Sequence, residues 1–328
     1  MKTIAIRCGL TAASLTAAFA AHACDLCAVY TAGMAHGETS GWYAGVFEQF
    51  TRYDELRDEG HVIHDDAGQY LDSSITQLFV GYGATDRLSL QLNVPYIYRK
   101  FKRPEDGEIE HGTVSGLGDV TALAQYTLLR HDDEDETWVW RALGGVKFGT
   151  GDTDRLTEEL DETPASPTPK HGGHDDTDAI SGIHGHDLTL GSGSTDFLVG
   201  TSGFYRAGRW YGEADLQYAI RQTGDFNYRF GNDLQWVLSG GRYLVLEHDH
   251  TISLQLNLSG EDKDYDEVDG VRADDTQSRV LFLGPQMGFT FGPRWSLELR
   301  ADFPVHIENS AIQTTVGWRG QAAFVGKF

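Results

Sequence analysis

The segment RWSLELRADFP, residues 294–304, alternates apolar and polar side chains. Its odd-numbered positions from Trp295 to Phe303 are apolar, and its even-numbered positions from Ser296 to Asp302 are polar. A period of two sends successive side chains to opposite faces of a β-strand. The segment therefore predicts a strand with one apolar face and one polar face.

Related alternation recurs along the chain and predicts twelve strands. They lie near residues 42–53, 70–83, 87–98, 117–129, 138–148, 195–206, 210–221, 232–246, 251–258, 279–291, 295–304 and 312–328. A tilted strand needs about 9 to 11 residues to cross a membrane, and most of these segments reach that length.

The connections between these segments decide the fold class. Residues 84–86, 207–209 and 292–294 are short turns, whereas residues 99–116 and 222–231 are loops. This alternation is typical of outer-membrane barrels with an even number of antiparallel strands. We therefore predict an all-β protein, a transmembrane antiparallel β-barrel with short periplasmic turns and long extracellular loops. A soluble β-sandwich would share the side-chain alternation but would not explain the connection lengths.

Two connections depart from the simplest pattern. Residues 130–137 form a longer turn, and residues 149–194 form the longest loop. The stretch HGGHDDTDAISGIHGHD, residues 171–187, holds four histidines and four aspartates within that loop.

Aromatic residues mark one end of the predicted barrel. Trp42, Trp138, Trp210 and Trp295 each open a strand on the turn side, where an interfacial girdle would lie. The chain ends on Phe328, which resembles the terminal aromatic assembly signal of bacterial outer-membrane barrels. We therefore expect the protein in the bacterial outer membrane.

The beginning of the chain has the features of export. Residues 1–23 combine a basic head with an apolar run and end in an A-x-A cleavage site, which predicts a signal peptide. We expect residues 24–41 to form a periplasmic N-terminal segment and residues 42–328 to form the barrel.

The N-terminal segment contains the pair Cys24-x-x-Cys27. In an oxidising periplasm this spacing favours a disulfide, with a metal or redox site as the alternative. Lipidation of Cys24 is less consistent with His22, and covalent haem attachment is disfavoured because Ala28 follows Cys27.

Negative charge is concentrated in the predicted loops. The chain carries a net charge of −23, and the six predicted loops hold 30 acidic and 10 basic residues. These loops comprise residues 54–69, 99–116, 149–194, 222–231, 259–278 and 305–311. An acidic rim concentrates cations and repels nucleic acid, so we expect a cation-favouring pore without a nucleic-acid partner. The run DKDYDEVDG, residues 262–270, fits a solvated loop or a weak calcium site that bridges lipopolysaccharide phosphates.

The polar faces of the strands should line the barrel lumen. The candidate lumen residues carry both signs of charge: Arg141, Lys147, Glu213, Asp215, Glu298, Arg300, Asp302 and Arg319. Such a lumen permits either a narrow channel or a barrel crossed by side-chain networks. The chain contains neither G-x-S-x-G nor H-E-x-x-H, so we expect no enzyme activity.

The histidine-rich loop supports two interpretations. His171, His174, His184 and His186 are candidate ligands of zinc, copper or nickel, because neutral imidazoles bind such ions and nearby carboxylates concentrate them. The neighbouring prolines and glycines fit equally a mobile loop without a bound metal.

Five segments carry a resemblance to a known family: GYGATDRLSLQLNVPYIYR (81–99), GLGDV (116–120), GGVKFGTGD (144–152), LGSGSTD (190–196) and GPRWSLELRADFPVH (292–306). They resemble the outer-membrane proteins of the meta-pathway phenol-degradation family, often called transporters. The resemblance implies a barrel and a passive channel for small molecules, with aromatic compounds suggested by the family's name. The histidine-rich loop and the cysteine pair depart from this pattern.

Together these features predict a porin-like outer-membrane transporter or channel for small solutes, which favours cations. Its partners would be outer-membrane lipid, lipopolysaccharide and the solute or cation that passes. The alternative is a closed barrel that serves as a divalent-metal-binding accessory or as a structural protein.

Overall fold

A computed structural model describes residues 40–105, 107–162 and 180–328. The predicted signal peptide and the pair Cys24-x-x-Cys27 lie outside these residues, so the predictions made for them stay predictions. Within the described residues, no helix is long and apolar enough to cross a membrane.

Strands make up most of the described chain. In chain order they are β1 (Gly41–Asp58), β2 (His61–Val62), β3 (Tyr70–Gly83), β4 (Leu88–Glu105), β5 (Glu108–Leu117), β6 (Val120–Asp132), β7 (Glu136–Phe148), β8 (Asp196–Ala207), β9 (Trp210–Ile220), β10 (Tyr228–Arg229), β11 (Asp233–Leu246), β12 (His250–Lys263), β13 (Glu267–Val268), β14 (Val271–Arg272), β15 (Ser278–Phe291), β16 (Trp295–Asn309) and β17 (Gln313–Lys327). Two short helices, α1 (Thr157–Glu162) and α2 (Gly185–Leu188), lie between β7 and β8.

Twelve of these strands form one closed antiparallel barrel. Their order is β1, β3, β4, β6, β7, β8, β9, β11, β12, β15, β16 and β17, and β17 pairs with β1 to close the ring. Strand β5 forms a hairpin with the far end of β4, and β10, β13 and β14 form a small separate sheet. The predicted transmembrane antiparallel barrel of about 12 strands is confirmed.

The first and last strands hold the barrel shut. Their register runs from Tyr43 opposite Lys327 to Arg57 opposite Gln313. Beyond this ladder, the amide of Phe328 donates to the carbonyl of Trp42 at 2.8 Å. Closure removes the free strand edges, so the wall satisfies its backbone hydrogen bonds internally, as a lipid environment requires.

Short turns gather at the end that holds both Trp42 and Phe328. They comprise residues 84–87, 133–135, 208–209, 247–249 and 292–294. Gly292 has a φ of 61°, a backbone conformation that residues with a Cβ rarely adopt. By the usual arrangement of outer-membrane barrels, this end faces the periplasm.

Several predicted connections were too long. The loop predicted at 99–116 is mostly strand, because β4 continues to Glu105 and β5 spans Glu108–Leu117. The turn predicted at 130–137 is shorter, because β6 continues to Asp132 and β7 begins at Glu136. The loop predicted at 305–311 is strand as far as Asn309. In each place the strand pairing extends into polar sequence, where backbone hydrogen bonds persist but the alternation of hydrophobicity fades.

The outer face of the barrel is apolar. On β16, Leu299 and Phe303 are 44% and 52% exposed, whereas Ser296 and Asp302 are buried. Exposed tryptophans at the periplasmic end are Trp42, Trp138, Trp210 and Trp295. An exposed apolar belt of this kind is stable against lipid rather than water. The protein is thus a barrel of the bacterial outer membrane.

Candidate functional site

A cavity of about 260 Å³ lies inside the barrel wall and is called here the central cavity. Amides and hydroxyls contribute much of its lining, among them Gln125, Gln217, Gln255, Asn257, Gln286 and Tyr211. These side chains occupy inward-facing positions of β6, β9, β12 and β15. Every second residue of a strand faces inward, which is why polar residues recur there at every second position. The interior is therefore polar and partly open, unlike a packed apolar core.

Six of the eight predicted lumen residues border the central cavity: Arg141, Glu213, Asp215, Glu298, Arg300 and Arg319. Asp302 is fully buried, and its Oδ1 accepts a hydrogen bond from Arg300 Nε at 2.8 Å. Arg319 donates through both terminal nitrogens to the carboxylate of Glu261. Lys147, the last of the eight predicted lumen residues, lies in a separate cluster closer to the loops.

The cluster around Lys147 joins three of the motifs that carry the family resemblance. Lys147 Nζ lies 2.6 Å from Asp119 Oδ2 and 2.9 Å from Asp196 Oδ2. It also donates to Ser192 Oγ at 2.7 Å, and Arg221 reaches Asp196 at 2.8 Å. All five side chains are almost completely buried. We call this group the motif cluster.

Asp119 accepts several of the hydrogen bonds that hold the motif cluster together. Its carboxylate accepts backbone N–H bonds from Gly151 at 3.0 Å and Ser192 at 2.9 Å. Burial raises the pKa of Asp119, but the ammonium group of Lys147 outweighs burial, and the pKa lies below its usual value. The carboxylate is therefore ionised at neutral pH and fixes both ends of the long loop to the barrel.

Sequence reasoning did not assign Ser192, Asp196 or Arg221 to a site. The signal available was the recurrence of Asp and Ser at turn positions of GLGDV and LGSGSTD. Only the folded barrel places these turns beside one another.

The second part of the long loop folds into the extracellular mouth of the barrel. Ile183 and Leu188 are buried against Leu71 and Phe101 of the wall. Leu190 joins a further buried apolar cluster deeper in the mouth. Residues 180–192, called here the plug, thus fill much of the mouth with apolar contacts.

Polar contacts anchor the plug to the same wall. Arg99 donates to the carbonyl oxygens of Asp187 and Thr189, the latter at 2.6 Å. The amide of Gly182 donates to Gln69 Oε1 at 2.7 Å. A cavity of about 60 Å³ lies between plug and wall. The extracellular mouth is therefore narrow.

Two of the four candidate metal ligands, His184 and His186, belong to the plug, whereas His171 and His174 lie outside the described residues. The two plug imidazoles stack with ring centres 5.7 Å apart. His186 Nδ1 lies 3.0 Å from Glu159 Oε1, and the His186 amide donates to the same oxygen at 2.7 Å.

These contacts bear on the chemistry of His186. Burial lowers the pKa of His186, but the carboxylates of Asp187 and Glu159 outweigh burial and raise it to about 10. The ring is then protonated at neutral pH and must lose a proton before it binds a metal. Among the described residues, no three His, Cys, Asp or Glu side chains are placed to hold a metal ion. Metal binding by the four histidines stays a prediction.

The acidic run at 262–270 contains a carboxylate held by protein donors. Asp266 is fully buried and accepts from Lys263 Nζ at 2.8 Å, the Gly231 amide at 2.7 Å and the Tyr228 hydroxyl. This carboxylate organises the small sheet near the mouth. The calcium site proposed for this run stays a prediction.

Comparison with known proteins relates the barrel to one family. Residues 183–320 match the family described as "Putative MetA-pathway of phenol degradation". The resemblance to this family is confirmed. No sequence relative is found among curated proteins.

A solved structure shares the barrel fold. An outer membrane channel from Pseudomonas putida F1 is similar, with a TM-score of 0.59 and 16% identity over 92% of this chain and 100% of that chain. The beta domain of the Bordetella autotransporter BrkA has a TM-score of 0.45 and 11% identity, over 87% of this chain and 99% of that chain. At 16% identity, the likeness to the Pseudomonas channel shows the fold alone.

Proposed function

We propose that the protein is a channel for small solutes across the outer membrane and that it favours cations. The main support for this proposal is the central cavity, because charged and amide side chains border an open space in the lumen that the barrel wall encloses. A barrel that served only as a scaffold would be expected to fill its interior with side-chain contacts.

The charge of the rim supports the cation preference. The loops predicted from the sequence hold 30 acidic and 10 basic residues. A rim of one sign raises the local concentration of the opposite ion, and the effect is strongest where salt screening is weak. Cations would therefore be enriched at the mouth before they reach the central cavity.

The plug limits the proposed route. A cavity of about 60 Å³ lies beside it, and the buried contacts of the plug with the wall narrow the mouth. Arg99 holds the plug through two backbone carbonyls, so its guanidinium is the contact to weaken. We expect loss of this contact to widen the mouth.

Planar-bilayer recordings of the purified barrel test the proposal. We expect discrete conductance steps from the natural sequence and larger steps from Arg99→Gln. The matched control is Lys100→Gln, since Lys100 is exposed on the same strand and points away from the plug. An absence of conductance in all three proteins would support the closed-barrel alternative instead.

A further inference from the structure

The central cavity contains a buried guanidinium that its surroundings leave incompletely bonded. Arg141 is only 5% exposed and borders the cavity. Its Nε has no hydrogen-bond partner within residues 40–105, 107–162 and 180–328. Arg300, by contrast, donates to Asp302 and to Ser259, each at 2.8 Å. Arg141 is therefore more available to a ligand than Arg300 is.

Carboxylates border the same cavity. Glu213 and Asp215 face inward from β9, and Glu298 faces inward from β16. Asp215 Oδ1 is buried, and no donor in the described part of the chain reaches it. A buried polar atom without a partner is costly, which makes such atoms indicators of a missing ligand or of ordered water.

The strand register places these groups on either side of a small residue. Arg141 lies opposite Ser202 across β7 and β8, and Ser202 lies opposite Asp215 across β8 and β9. Neighbouring strands are about 4.8 Å apart, so the backbones of Arg141 and Asp215 are separated by about 10 Å. The short serine between them leaves room for a ligand, and Ser202 also borders the cavity.

We propose that the central cavity binds small solutes that carry both a carboxylate and an ammonium group. Arg141 would hold the carboxylate through charge-assisted hydrogen bonds. Asp215, with Glu213 beside it, would hold the ammonium group. This inference rests on the proposed channel function and names the class of solute that the channel takes.

The balance of charges in the wall supports a ligand with both signs. Arg319 is paired with Glu261 and Arg300 with Asp302. Once these pairs are set aside, the lining presents one guanidinium, Arg141, and three carboxylates. A purely anionic solute would meet the three carboxylates unfavourably, and a purely cationic solute would leave Arg141 unmatched.

Three probes of similar size separate these cases: γ-aminobutyrate, butyrate and butylammonium. Calorimetric titration of the purified barrel should show γ-aminobutyrate binding at least about tenfold more tightly than either singly charged probe. Arg141→Gln and Asp215→Asn should each weaken γ-aminobutyrate binding by about tenfold or more. The control Arg242→Gln should leave binding unchanged, because Arg242 is exposed and lies over Trp210 on the outer face.

The mobility of unheated samples on a denaturing gel shows whether each variant has folded. Butylammonium binding as tight as that of γ-aminobutyrate would overturn the proposal. Unchanged affinity for γ-aminobutyrate in folded Arg141→Gln would also overturn the proposal, because Arg141 would then contact bound water and not the solute. Bilayer conductance separates this inference from the channel function. A conducting barrel without probe discrimination refutes the inference alone, whereas a discriminating barrel without conductance refutes the channel alone.

Discussion

Lys147 Nζ lies 2.6 Å from Asp119 Oδ2, although the two residues are separated by 28 positions in the sequence. The same ammonium group contacts Asp196 at 2.9 Å. One lysine thus pairs with two buried carboxylates that come from different motifs, and Arg221 also pairs with Asp196. This arrangement ties the ends of the long loop to neighbouring strands.

Replacement of Lys147 should destabilise the barrel strongly. In Lys147→Met, two buried carboxylates lose their shared cation, and breaking a buried pair costs about 3 to 5 kcal/mol. Urea unfolding in lipid vesicles would measure the change. Arg272→Met is the control, because Arg272 is 54% exposed in its ion pair with Asp274. A loss below about 1 kcal/mol would show that the motif cluster contributes little.

The assigned depth of β16 in the membrane can be tested at two exposed positions of the strand. Leu299 is 44% exposed on the apolar outer face, so Leu299→Arg should cost about 2 to 4 kcal/mol if it lies near the bilayer midplane. His306, also exposed, lies near the loop end of the same strand. His306→Arg should cost about 0 to 1 kcal/mol. Equal costs for the two variants in vesicle unfolding would contradict the assigned depth.

The acidic rim should set the ion preference of an open pore. Reversal potentials measured across a potassium chloride gradient should show cation selectivity. The selectivity should increase as salt is lowered, because the screening length grows from about 10 Å at 0.1 M to about 30 Å at 0.01 M. Anion selectivity, or selectivity independent of salt, would rule out control by the rim.

The imidazolium of His186 should make the plug sensitive to alkaline pH. Its pKa is raised to about 10 from a usual value of 6.5. The stabilisation from this ion pair is therefore complete below pH 6.5 and is lost as pH rises through 10. We expect the difference in melting temperature between the natural sequence and His186→Gln to shrink over that window. A difference that stays constant would mean that the proton on His186 does not stabilise the plug.

Zinc titration tests the metal prediction for the loop. We expect micromolar-range binding that weakens below about pH 6, as the histidines protonate. Changing His171, His174, His184 and His186 together to Ala should abolish it. Because His186 is already protonated at neutral pH, His186→Gln alone should change the affinity by less than about twofold. Unchanged zinc binding in the quadruple variant would remove these histidines as ligands.

The sequence by itself determined the barrel. Period-two alternation in segments such as 294–304 depends only on neighbouring residues, because successive side chains of a strand must point to opposite faces. The same rule directed Arg141, Glu213 and Asp215 inward without knowledge of their neighbours. Connection lengths supplied the even strand number and the two different ends.

Only the tertiary structure decided which side chains the inward-facing residues contact. Several predicted connections were too long because backbone pairing continues where hydrophobic alternation fades. The plug could not be predicted either, since Ile183 and Leu188 are buried by residues about a hundred positions earlier. The pairing of Lys147 with Asp119 and the gap between Arg141 and Asp215 depend on strand register and ring closure. These are contacts between distant parts of the chain, and local periodicity carries no information about which of them form.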